Sequence, residues 1–93
     1  MTMQNSTRDD IEFILKRDFL PSKLMVIDDS RAHKGHAEAL LHPKAGHFKV
    51  EMISEKFTGL TLVERHRLVY KSLSDLMDSR IHALALDLRS TAD

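Results

Sequence analysis

Residues 61–88 read TLVERHRLVYKSLSDLMDSRIHALALDL, and residues 47–53 upstream of them read HFKVEMI. Thr61 and Glu64 have the spacing of a capping box, in which each side chain bonds the other residue's backbone N–H, so a helix starts there. Leu62, His66, Val69, Tyr70, Leu73, Leu76 and Met77 then recur at helical spacing and predict one buried stripe. Arg65 borders that stripe, while Arg67 and Lys71 point away from it. Asp78 to Arg80 ends the helix, and Ile81 to Leu88 reads as a strand. In that strand Leu84, Leu86 and Leu88 take one face, and Ala83, Ala85 and Asp87 the other. Strict alternation puts His82 on the leucine face. Upstream, Phe48, Val50 and Met52 alternate with His47, Lys49 and Glu51 in the clearest strand signal of the chain. Gly59 breaks the chain between that strand and the helix. Strand, helix and strand in this order predict a right-handed crossover joining parallel strands.

Working outward, Ile11, Ile14, Leu15 and Phe19 fall near one face of an N-terminal helix, with Thr7 and Asp10 suggesting its cap. Pro21 ends that helix, because the residue before proline is pushed out of the α region. Leu24 to Ile27 is a short apolar strand closed by the turn formers Asp28, Asp29 and Ser30. Arg31 to Gly46 is a long loop carrying His33, His36 and His42, with His47 at its edge. Loops of that length inside compact domains tend to be functional. The predicted fold class is α+β, in the order α-β-β-α-β: a small mixed three-stranded sheet with helices on one face, the first two strands antiparallel. The predicted organisation is a flexible tail at 1–6, one domain at 7–89 and a C-terminal tail at 90–93.

Composition narrows the function classes. At 93 residues the chain has room for one small domain with a modest core. Fourteen Lys+Arg balance fourteen Asp+Glu, which removes the basic excess typical of nucleic-acid binders. There are no cysteines, hence no disulfide framework, no thiol nucleophile and no thiolate ligand from this chain. Six histidines are many for this length, and they are the groups that titrate between about pH 5 and 8. No apolar run approaches the ~20 residues needed to span a membrane. The N-terminus shows neither a signal core nor an Arg-rich transit pattern, so the expected address is cytoplasmic.

No arrangement of residues in the sequence supports catalysis. Adjacent Asp28 and Asp29 suit a turn better than an acid–base pair. Ser30 and His33 lack an orienting third group and an oxyanion element. Gly35, Gly46 and Gly59 are isolated and form no phosphate-binding loop. His33 and His36 have a chelating spacing, but two imidazoles are an incomplete ligand set. Read alone, His66 is a hydrogen-bonded core histidine and His82 a packed strand histidine. The element order is that of a type II KH module, yet no GxxG loop is present. Arg65, Arg67 and Lys71 form a local basic cluster, which is the one feature favouring nucleic acid. The expectation is a non-enzymatic chain.

Several segments together resemble the BolA family: Val26-Ile-Asp-Asp-Ser30 followed by His33, His47-Phe-Lys-Val50, Ile53-Ser54 and Phe57-Thr-Gly59. Arg65-His-Arg67 with Val69-Tyr70, followed by Ile81-His-Ala-Leu84, carries most of the specificity. The resemblance runs from about Ile11 to Leu88 and implies the KH-like fold reached above. It also implies a partner, a monothiol glutaredoxin, with which such proteins share a [2Fe–2S] cluster in iron–sulfur trafficking and iron homeostasis. The glutaredoxin brings a cysteine and a glutathione thiolate. The BolA-like chain brings the histidine of its IHAL motif, here His82, and a loop residue best matched by His33, with His36 as the alternative. A chain without thiols suits that division, since such clusters are normally thiolate-held, with imidazole replacing thiolate in Rieske-type centres. Some bacterial members are described as DNA-binding transcriptional regulators of stress response and cell shape, which maps to the helix around Arg65, Arg67 and Lys71. The free protein is expected to be a monomer without membrane contacts.

Overall fold

The computed structural model describes residues 6–29 and 46–93. The loop candidates His33 and His36, and with them His42, lie outside the described residues.

Helix α1 spans Thr7–Phe19. Its N-cap is Ser6, whose side chain accepts from the Asp9 N–H at 3.1 Å, so the cap falls one residue before the expected Thr7. Asp9 and Asp10 sit in the first turn and Lys16 and Arg17 in the last, the order that suits the helix dipole. Ile11, Leu15 and Phe19 are buried along one face, as their spacing predicted. Phe13 points to solvent. The helix ends where Leu20 adopts a left-handed conformation (φ 46°) just before Pro21.

Strand β1 (Lys23–Asp28) pairs antiparallel with β2 (Gly46–Ile53), with Val26 opposite Val50. Strand β3 (Ile81–Arg89) pairs with β2 in parallel, with Leu86 opposite Val50. The sheet order is β1-β2-β3, the mixed three-stranded arrangement expected from the crossover. Between β2 and β3 run a 3-10 turn at Glu55–Phe57, helix α2 (Leu62–Ser72) and a short helix α3 (Ser74–Met77). The capping box of α2 is formed: Glu64 N–H donates to Thr61 Oγ1 and Thr61 N–H to Glu64 Oε1. Those bonds hold the Glu64 carboxyl below its ordinary pKa.

The core lies between the helices and one face of the sheet. Phe48, Val50 and Met52 from β2 meet Ile11 and Leu15 from α1, Val69 from α2 and Leu73 just after it. Phe57 from the 3-10 turn stacks obliquely on Phe19, ring centres 5.2 Å apart. Ser54 is fully buried yet satisfied: its hydroxyl donates to Phe19 O at 2.7 Å and accepts from Lys56 N–H at 3.1 Å. That hydroxyl ties the end of α1 to the end of β2.

The helix after Gly59 departs from its sequence reading in two ways. It is interrupted at Leu73, whose backbone (φ −96°, ψ 11°) is not helical, so the expected continuous four-turn stripe is two segments. Its buried face is also rotated: Arg65, Val69, Leu73 and Leu76 are buried. Leu62 is exposed, Tyr70 is partly exposed and His66 is half-buried. The rotation has a physical cause, because Arg65 finds the Leu60 and Leu88 carbonyls and the Asp93 carboxylate, and Tyr70 a carbonyl at the sheet edge.

Candidate functional site

His82 occupies the one irregular position of the sheet. Ile81 is buried opposite Gly46, whereas Leu84, Leu86 and Leu88 face the core opposite Phe48, Val50 and Met52. Ile81 and Leu84 are an odd number of residues apart and cannot share one face of a regular strand. The register shifts between Gly46 and His47, so that Ile81 and Ala83 oppose consecutive residues of β2 and His82 is the extra residue. Such a bulge re-aims a side chain. His82 is therefore exposed and not on the leucine face, which corrects the reading from alternation. Alternation assumed an unbroken pleat; the buried Ile81 was the signal against it.

The surroundings of His82 are well anchored. Arg80, two residues earlier, accepts through its backbone carbonyl: Gly46 N–H donates to Arg80 O at 3.1 Å. The Arg80 side chain reaches Asp10 at 2.6 Å and Thr7 Oγ1 at 3.2 Å, fastening the turn before β3 to the first turn of α1. On the other side, Asp29 N–H bonds to His47 O at 2.8 Å. The stretch carrying His33, His36 and His42 thus leaves at Asp29 and returns at Gly46, and both ends are bonded next to the bulge. The His47 and His82 rings lie 5.1 Å apart at 50°. Ala83 and Ala85 are exposed and put only methyl groups on the same open face of the sheet. Among the described residues no group of three or more His, Cys, Asp or Glu is arranged to hold a metal ion. What the described chain offers is an exposed nitrogen ligand, with a second imidazole against it.

The basic cluster is not brought together. Arg65 is 6% exposed. Its guanidinium donates to Leu60 O, Leu88 O and both Asp93 carboxylate oxygens. Arg67 and Lys71 stay on the outer face of α2. They flank Leu62, Val63, His66 and Tyr70, which with Arg67 line a shallow apolar concavity. Sequence reasoning missed the burial of Arg65 because its partner stands 28 residues away, within the predicted C-terminal tail. That segment is fastened: Ser90 is buried, and its N–H and hydroxyl both donate to Asp93.

The bulged His82 sits inside Ile81-His-Ala-Leu84, and the family model for BolA-like protein matches residues 15–93. The chain belongs to the BolA family. It is 40% identical over 86 residues to the DNA-binding transcriptional regulator BolA of Vibrio cholerae, spanning 92% of this chain and 76% of that one. It is 38% identical over 79 residues to the protein of the same name from Escherichia coli, spanning 85% and 70%. Among solved structures, the BolA domain of SufE1 from Arabidopsis thaliana superposes with a TM-score of 0.82 at 33% identity, covering 97% of this chain and 98% of that one. BolA1 from the same plant gives 0.81 at 31% identity, covering 98% and 97%. The α-β-β-α-β order and the mixed sheet are those of the BolA, KH-like fold. BolA-family proteins are non-catalytic regulators and adaptors, and so is this chain. Among the described residues no helix is long and apolar enough to cross a membrane.

Proposed function

We propose that this BolA-family chain binds a monothiol glutaredoxin and shares a [2Fe–2S] cluster with it, for cluster trafficking or iron sensing in the cytoplasm. The observation that carries the reading is His82: an exposed imidazole on a bulge, in a chain with no cysteine. The donor set fits a shared group, since such clusters are normally held by thiolates, which a partner and glutathione would supply to a chain without cysteine. His82 would bind one iron through a ring nitrogen, with His33 or His36 from the loop as the second ligand. Neutral imidazole in place of thiolate raises the reduction potential of such a centre and makes ligation depend on proton concentration. Some BolA relatives are linked to iron–sulfur cluster biology, which supports the reading.

The test is to mix the chain with a [2Fe–2S]-loaded monothiol glutaredoxin and glutathione, and to record visible absorption and circular dichroism. A new spectrum in a one-to-one complex is expected. His82→Ala should alter it, and of His33→Ala and His36→Ala only the loop ligand's variant should do the same. No complex and no spectral change would remove this reading.

A second reading has its own support, because the Vibrio cholerae and Escherichia coli relatives are named DNA-binding transcriptional regulators. With Arg65 committed to Asp93, the helix offers Arg67 and Lys71 to phosphate. Two cations give a shallow salt dependence, since the slope follows the number of phosphates neutralised. Sub-micromolar, sequence-selective binding by the free chain, lost in Arg67→Ala with Lys71→Ala, would establish that reading.

A further inference from the structure

We propose that His47 is a positioning residue for His82: its ring holds the His82 imidazole in one orientation before any partner arrives. This rests on the shared-cluster reading and deepens it. Ligation fixes the orientation of an imidazole, so a contact that already orients the ring lowers that cost. The structure supplies a restraint. His47 is half-buried near the start of β2, and its backbone is fixed by the 2.8 Å bond from Asp29 N–H to His47 O. Its cross-strand partner is Ala83, whose methyl leaves the space beside the His47 ring open. The His82 ring fills that side at 5.1 Å between centres, tilted by 50°, a normal distance for an oblique ring pair.

The bulge and the ring contact act together. Ile81 is anchored in the core and Leu84 half-buried against it, so the His82 backbone is gripped from both sides. The extra residue turns the imidazole out of the pleat, and His47 fixes the turn of the ring. His47 needs no nitrogen for this role, only a planar ring. Phenylalanine should therefore replace it and alanine should not.

The experiment uses the full chain with His47→Ala and His47→Phe. In the free protein, three-bond couplings about the His82 Cα–Cβ bond report rotamer populations. One dominant rotamer is expected in the parent and in His47→Phe, and a shift in the populations in His47→Ala. In the mixed complex with glutaredoxin, His47→Ala should keep one-to-one stoichiometry but lose iron to a chelator about tenfold faster, the scale of losing a residue that orients a metal ligand. His47→Phe should stay close to the parent. Averaged couplings in the parent, or unchanged couplings in His47→Ala, would overturn the proposal. So would His47→Phe losing iron as fast as His47→Ala while keeping the rotamer, because His47 would then act through a nitrogen. If the parent itself forms no shared cluster, the proposed function fails, and the couplings alone decide the positioning role.

Discussion

The Arg65 guanidinium bonds to Leu60 O at 3.1 Å, to Leu88 O at 3.2 Å and to the two Asp93 oxygens at 2.6 and 3.1 Å. One side chain thus joins the start of α2, the end of β3 and the C-terminal turn. The planar fork makes this possible, and a lysine ammonium cannot reproduce it. Arg65→Ala and Arg65→Lys should both lower the urea midpoint clearly. Arg67→Ala, on the outer face, should stay within about 0.5 kcal/mol of the parent. Equal effects at the two positions would contradict the assignment. The Arg65 bonds, then those from Ser90, hold the Asp93 carboxyl well below its usual range. A carboxyl with a depressed folded pKa contributes stability above its unfolded value of about 4, and loses it as pH falls through the folded value. Stability should accordingly decline below about pH 4. Asp93→Asn should start less stable at neutral pH and show a flatter acid limb, measured by urea titration across pH.

Leu20 shows what a single backbone conformation does for an element. It closes α1 in the left-handed region at φ 46°, and its N–H bonds to Lys16 O at 3.2 Å. A β-carbon there costs about 1–2 kcal/mol, and glycine removes that strain at an entropic cost of roughly 0.5–1 kcal/mol. Leu20 is 74% exposed, so little burial is lost with it. Leu20→Gly should stabilise the chain by up to about 1 kcal/mol, read as a higher urea midpoint with an unchanged slope; a lower midpoint would mean the side chain matters more than its backbone. At this scale the elements were readable from the sequence because their signals are local. Alternation marked β2, the Thr61–Glu64 box marked the start of α2, and Pro21 marked the end of α1. The features that position the site were less readable. The bulge at His82 is visible only as a parity conflict between Ile81 and Leu84. The burial of Arg65 depends on Asp93, which periodicity on one helix does not reach. The exposure of Tyr70 follows from a bond to Leu84 O, likewise outside its own helix.

At the scale of the molecule, the outer edge of β3 has no strand beside it among the described residues. Ser54 N–H bonds to Arg89 O, which fixes the odd residues of β3 as those facing β2. Leu84, Leu86 and Leu88 therefore direct their N–H and C=O groups to the free edge. Exposed edges invite pairing with another chain. Here α2 covers part of this edge: Tyr70 OH donates to Leu84 O at 3.2 Å and Arg65 to Leu88 O at 3.2 Å. Amide exchange along β3 should then alternate, slow at Ala85 and Asp87 and faster at Leu84 and Leu86, because only the first pair donates into the ladder. Uniform protection would show that another segment covers the edge. Tyr70→Phe keeps the ring and removes only the bond to Leu84 O, so its stability should fall by about 0.5–1.5 kcal/mol. The same change leaves one more carbonyl of the edge open to a second molecule. Sedimentation should find the parent monomeric and Tyr70→Phe more prone to associate, with new exchange protection at Leu84 and Leu86; association with those amides still fast would place the contact elsewhere, on the apolar outer face of α2.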